Sequence, residues 1–212
     1  MKKLAELTTT EFTELLASDA PAPGGGSAAA LEGALGAALS AMVCNLTTSW
    51  KNREKYAESQ ELAAAAAGKA ADITSRFVDV MNRDTEAFNA VSAAFGMPKG
   101  TDEEKAARSA AIQRGLEGCT KTPFEMMELA AEALELTSAL VGKTNASAAS
   151  DLGVSALSLK AAIQGAWLNV LINIGSLKNK ELADDYRQKG EALLAKALPL
   201  ADEIYEKILK MM

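Results

Sequence analysis

The chain of 212 residues contains no histidine. That excludes a Ser-His-Asp triad, a Cys-His dyad and most catalytic zinc sites. Proton transfer must fall to Asp, Glu, Lys, Tyr, Cys or water. Cysteine is nearly as scarce. Cys44 and Cys119 stand far apart, with neither metal-ligand spacing nor a disulfide framework, so a reducing cytoplasm is the expected compartment. Glycine (15) and proline (5) are too few for a collagen-like or linker-dominated chain. Positive charge is in deficit: 22 Lys and Arg face 28 Asp and Glu, a net charge of −6. A broad basic footprint for nucleic acid is therefore missing, and none is expected as a partner. Met1-Lys2-Lys3 has the charge of a signal-peptide start, but Glu6, Glu11 and Glu14 follow in place of an apolar stretch. Residues 24–49 carry one charge, Glu32. They are mostly Ala and Gly, however, rather than the Leu, Ile, Val and Phe of strong membrane spans, and they read as a buried helix with no membrane partner.

What the chain does have is helix-forming residues. Ala, Leu, Glu, Lys and Met dominate, and apolar residues do not alternate at period two. With 49% hydrophobic and 24% charged residues, there is ample material for a core. Thr8 with Glu11, and Thr101 with Glu104, have capping-box spacing. Gly96 to Gly100 should end one long helix. Pro123 fits the first turn of another, separating helices over about 101–118 and 123–140. The expectation is a single all-α domain over residues 1–212: a bundle of about seven helices, with two nearly uncharged ones (27–49 and 151–176) at its centre. So much apolar helix favours a homodimer, with the last helix and the Ala-rich stretch 62–71 as the surfaces for a second copy.

Chemistry has few places to reside. In Pro21-Ala22-Pro23-Gly24-Gly25-Gly26-Ser27 three glycines run into a helix start. This suits either close packing of two backbones or capture of an anion on free N–H groups. No Lys-Ser/Thr ending marks a nucleotide P-loop, and no strand precedes it. Asp84, inside a helix and beside an apolar face, is either solvated or a carboxylate held in a cleft as a base. Asn169 and Asn173, four residues apart, share one face of an apolar helix. They either satisfy neighbouring helices or read a ligand. Asn145 and Asp151 flank a loop of small residues, where Asp151 also suits an N-cap. Lys99 lies in a Gly-rich turn. Lys51, Arg53 and Lys55 follow Trp50 and form either a solvated turn or a contact for an acidic tail. The cysteines, with no imidazole to activate them, read as small buried apolar residues.

In order along the chain, Ala22-Pro23-Gly24-Gly25-Gly26-Ser27, Asp84-Thr85-Glu86-Ala87-Phe88, Met97-Pro98-Lys99 with Glu103-Glu104-Lys105, Asn145 with Ser150-Asp151-Leu152, and Asn169-Val170-Leu171-Ile172-Asn173 form a set. The set resembles the cyclodeaminase/cyclohydrolase family, which includes the C-terminal domain of formiminotransferase-cyclodeaminase and stand-alone bacterial methenyltetrahydrofolate cyclohydrolases. The resemblance runs over about residues 5–210. It implies an all-α, dimeric enzyme without metal or prosthetic group, acting on the one-carbon bridge of a tetrahydrofolate derivative as substrate. It also implies that Asp84 is catalytic and that Gly24, Gly25, Gly26, Ser27, Lys99, Asn145, Asp151, Asn169 and Asn173 line the folate cleft. The expected activity is methenyltetrahydrofolate cyclohydrolase. The alternatives are formimidoyltetrahydrofolate cyclodeaminase, which releases ammonia, and a non-catalytic helical dimerisation module.

Overall fold

A computed structural model describes residues 3–212; Met1 and Lys2, the start of the basic N-terminal run, lie outside them. Among the described residues there are six α-helices and no strand: α1 (Thr9–Leu16), α2 (Gly25–Thr48), α3 (Gln60–Phe95), α4 (Asp102–Leu140), α5 (Ala149–Ser176) and α6 (Lys180–Leu209). Short 3₁₀ turns sit at Leu4–Glu6, Ala57–Ser59 and Ala146–Ala148. Both capping boxes form: Thr8 accepts from the Glu11 N–H, and Thr101 from the Glu104 N–H.

The expected break at Pro123 does not occur, so six helices replace seven. An interior proline lacks the N–H that would bond the carbonyl four residues back, here that of Cys119. A donor from another helix fills the vacancy: Asn173 Nδ2 on α5 reaches the Cys119 carbonyl at 2.7 Å. With its acceptor satisfied, α4 runs unbroken through the proline.

The two nearly uncharged helices are central and antiparallel, and α2 packs largely through its small residues. Its core face is the small one: Gly26, Ala30, Gly33, Ala37, Ser40 and Cys44 are buried. A methyl on Gly33 would strike the ring of Phe77 on α3, and one on Gly36 would meet Leu159 Cγ on α5 at 2.7 Å. Small residues thus let large partners reach the α2 backbone. Burying a side chain such as Phe77 contributes about 1.5–3 kcal/mol. The larger side chains Leu35, Met42 and Leu46 are exposed instead, beside Val154, Leu157, Leu168 and Ile172 of α5. By length and composition both helices are apolar enough to cross a membrane. The inner faces of both are packed within the bundle.

A hydroxyl network ties the centre together. Ser40 Oγ lies 2.8 Å from Thr137 Oγ1 and 3.0 Å from Ser155 Oγ, and Ser155 donates to the Gly36 carbonyl at 2.7 Å. These bonds join α2, α4 and α5 without leaving a buried hydroxyl unsatisfied, which would cost about 1–3 kcal/mol. Of the stretches expected to meet a second copy, one face of each is used within the chain, while Ala64, Ala65, Tyr205 and Leu209 are exposed. Ala63, Ala66 and Ala70 of α3 and Ala197, Ala201, Ile204 and Ile208 of α6 all lie in the core.

Candidate active site

Asp84 sits about two-thirds of the way along α3, where α2 begins and α4 passes alongside. Its carboxylate is held from two sides. Thr122 Oγ1 on α4 donates to Oδ1 at 3.1 Å. Oδ2 faces Gly26 so closely that an added Cβ there would lie 2.5 Å away. A side chain there would push the carboxylate aside, so glycine leaves it in place. Burial raises the Asp84 pKa above its ordinary value, and the Thr122 bond opposes the rise. The carboxylate is half-buried rather than in bulk solvent.

The glycine turn supplies the other half of the electrostatics. Ala28 N–H makes the first bond back along α2, to the Gly24 carbonyl at 3.0 Å. The N–H groups of Gly25, Gly26 and Ser27 precede it and have no intrahelical acceptor. That positive helix end favours an anion such as the Asp84 carboxylate. Gly24 and Gly25 are exposed, while Gly26 and Ser27 are buried. Ser27 Oγ lies 3.4 Å from Thr85 Oγ1, which locks the start of α2 to α3.

Asn169 stands next to the turn, its Nδ2 3.6 Å from the position a Gly25 Cβ would take. The same amide donates to its own Gly165 carbonyl at 2.8 Å. Asn173 is more committed: Nδ2 donates to the Cys119 carbonyl and, at 2.8 Å, to the Asn169 carbonyl. Its amide group secures α5 to α4. Cys119 is buried, and desolvation together with the Asp84 charge pushes its thiol up to about 11. It is a neutral neighbour, as is Cys44, also raised to about 11 by burial.

The structure thus gathers Asp84, Gly24–Ser27, Asn169 and Asn173. It does not bring Asn145 and Asp151 to them. The Asn145 N–H donates to Thr47 Oγ1 at 2.9 Å, at the far end of α2. By helical rise that is about 30 Å from Gly26. Asn145 Oδ1 caps the following 3₁₀ turn by accepting from Ser147 N–H at 3.1 Å. Asp151 is not the N-cap of α5; Ala148 holds that place and Asp151 lies in the first turn. Lys99 is exposed in the turn after α3, about 16 Å or more along from Asp84 by the same rise. The basic turn after Trp50 points elsewhere: Lys51 and Lys55 stack on Trp50 and Tyr56, and the Tyr56 hydroxyl accepts from the Ala146 N–H at 3.0 Å.

Two contributors were not visible in the sequence. Thr122 belongs to a Thr-Lys-Thr-Pro run whose only evident signal is the proline. Arg83 grips Glu125 with both terminal nitrogens at 2.8 and 3.0 Å and Asp79 through Nε at 2.6 Å, clamping α3 to α4 one residue from Asp84. Beside Thr85 is a hollow of about 460 Å³ lined by Ala22, Pro23, Asn82, Glu86 and Asn89 among others.

The formiminotransferase-cyclodeaminase family model matches residues 8–192. The chain belongs to this family. A methenyltetrahydrofolate cyclohydrolase of Methylorubrum extorquens is 40% identical over 201 residues, covering 95% of both chains. The formimidoyltransferase-cyclodeaminase of Rattus norvegicus is 30% identical over 92% of this chain, and that of Sus scrofa 32% over 93%. This chain spans 36% of each of those two longer proteins. A formiminotetrahydrofolate cyclodeaminase from Thermotoga maritima superposes with a TM-score of 0.79 over 99% of this chain and 97% of its own. At 23% identity that family member shares the fold.

Proposed function

We propose that this chain is a methenyltetrahydrofolate cyclohydrolase, hydrolysing the methenyl bridge to formyltetrahydrofolate. The observation that carries the chemistry is the held Asp84 carboxylate, half-buried between Thr122 and the glycine turn. The preference for hydrolysis over deamination follows the Methylorubrum relative, matched over 95% of both chains.

The substrate suits a site without imidazole. The methenyl bridge is a cationic amidinium and already electrophilic. Asp84 attracts that cation and takes a proton from the water that adds to the bridge carbon. The resulting tetrahedral carbon bears a hydroxyl and two ring nitrogens. Asp84 then returns its proton to one of the nitrogens, that carbon–nitrogen bond breaks with the nitrogen keeping the bonding pair, and the hydroxyl becomes the formyl carbonyl as its proton is lost to solvent water. A positioned base of this kind contributes about 10²–10⁴-fold. The Gly24–Ser27 turn and Asn169 border the reacting carbon. Lys99, a positive group at the end of α3 in an acidic protein, receives the glutamate tail.

The working unit in this reading is a homodimer. The exposed apolar residues of α2 and α5 form one face on which Glu32 of α2 is the charged neighbour and Leu168 is 66% and Ile172 73% exposed. Those two flank Asn169, so a second copy seated there also walls the site. In a two-fold pair the same face meets itself. We infer a two-fold axis crossing α2 near its middle, which runs the partner's α2 antiparallel and brings the far end of the partner's bundle, the end where Thr47 and Asn145 meet within one chain, toward the Gly25 end. This accounts for candidate residues that lie at opposite ends of one chain.

The test is absorbance loss of methenyltetrahydrofolate, corrected for spontaneous hydrolysis, with Asp84→Asn alongside. The expected result is turnover by the wild type and a fall of about 10²–10⁴-fold in the variant with folding intact. The alternative reading, formimidoyltetrahydrofolate cyclodeaminase, is favoured by the longer relatives' names. Ammonia release from the formimidoyl substrate without methenyl hydrolysis would establish it instead.

A further inference from the structure

Threonines inside the helices of this chain usually spend their hydroxyl on their own helix. Thr47, Thr74, Thr120 and Thr137 each donate to the carbonyl four residues back at 2.7–2.8 Å. Thr122 departs from that habit. Its distance to the Gly118 carbonyl is stretched to 3.4 Å, while the Asp84 carboxylate accepts at 3.1 Å. A hydroxyl has one proton to give, and an ionised acceptor binds it more strongly. The side chain is 6% exposed, so water competes little for that bond. The next residue, Pro123, leaves the Cys119 carbonyl to Asn173, which fixes this turn of α4 against α5. Thr122 is therefore held at the carboxylate by the two helices rather than by chance of rotamer.

We propose that Thr122 is the positioning residue of the reaction: its hydroxyl holds Oδ1 of Asp84, leaving Oδ2 at the mouth of the glycine turn as the oxygen that takes the proton. This rests on the catalytic reading of Asp84. The surroundings keep the assignment simple. α4 presents Cys119, whose thiol stays neutral because it lies at about 11. α2 presents the uncharged Gly26 and Ser27, and α5 the uncharged Asn169 and Asn173. On α3, Arg83 is engaged by Asp79 and Glu125. The group whose loss moves the Asp84 titration is thus Thr122. Removing its hydroxyl leaves burial opposed only by the positive start of α2, so the carboxyl must protonate at higher pH.

The experiment is the pH profile of kcat and KM for methenyl hydrolysis by the full-length chain, with Thr122→Val, Thr122→Ser and Asp84→Asn. Thr122→Val, which keeps the branched shape, is expected to move the acid limb up by about one pH unit and to lower kcat with little change in KM. Thr122→Ser, which keeps the hydroxyl, should return the limb to its wild-type position. If Thr122→Val does not fold, Thr122→Ala must show the same shift. An unmoved acid limb in the folded hydroxyl-free variant, with Asp84→Asn inactive, overturns the role of Thr122 alone. Full activity of Asp84→Asn overturns the catalytic reading beneath it.

Discussion

Replacing Gly26 by alanine sets one methyl group against the Asp84 carboxylate. The added Cβ would lie 2.5 Å from Oδ2, 3.0 Å from Cγ and 3.1 Å from Oδ1. Ordinary contact begins near 3.4 Å, so Oδ2 must retreat by about 0.9 Å. It has little room to do so, because Oδ1 is tethered to Thr122. Displacement of a reacting group by about 1 Å costs on the order of 10²-fold in rate. The fold itself is under less threat. Alanine is favoured over glycine in a helix by about 0.5–1 kcal/mol, which offsets part of the strain. Gly26→Ala is therefore expected to fold and to lose about 10²-fold in kcat, measured by methenyltetrahydrofolate absorbance. Gly25→Ala meets Asn169 at an ordinary 3.6 Å and should lose only a few-fold. Gly68→Ala, in open space on α3 and far along the helix from the site, serves as the control with unchanged turnover. If folded Gly26→Ala turns over within twofold of the wild type, the carboxylate position is not what the reaction depends on, and the reasoning fails.

The raised pKa of Asp84 predicts a stability gain in Asp84→Asn. The folded chain binds this proton more tightly than the unfolded chain, so Asp84 favours folding at low pH, and that contribution is lost as pH rises through its folded pKa. The variant should melt above the wild type near neutral pH, with the gain vanishing below the ordinary carboxylate value of 3.8; equal melting at pH 7 would refute it. Asn173→Ala removes the donor that covers the Cys119 carbonyl and should cost about 1–3 kcal/mol in denaturant unfolding, whereas an unchanged midpoint would mean that α4 tolerates Pro123 unaided. Mixing Asp84→Asn with Asn145→Ala subunits should recover activity that neither variant has alone, because one site of each heterodimer is then intact. No recovery after confirmed subunit exchange would place Asn145 outside the shared cleft.

The helical nature of the chain was written in its composition and in two capping boxes, because those signals act within a few residues. Asp84 and the glycine turn were visible for a similar reason: an acid beside an apolar helical face and three glycines before a helix are local anomalies. Thr122 was not visible, since what distinguishes it from four other helical threonines is an acceptor 38 positions away. Which face of α2 packs is likewise not written in its periodicity. Its leucines recur near every fourth position, yet the packed face is the one where Phe77 and Leu159 can approach the backbone. The rule that large residues mark the inside assumes that the neighbour is flat. Here the neighbours are bulky and the small residues receive them.

Sequence alone determined that catalysis must proceed without imidazole, that the chain is helical, and that acid and glycine are its distinctive chemistry. Those properties belong to residue identity and short-range backbone preference. Tertiary structure decided that α4 continues through Pro123, that Thr122 and Gly26 close on one carboxylate, and that Asn145 and Asp151 lie about 30 Å from it within a chain. Each of these depends on groups brought together across helices, where the donor for a lost bond or the wall of a site comes from a segment that local pattern cannot name.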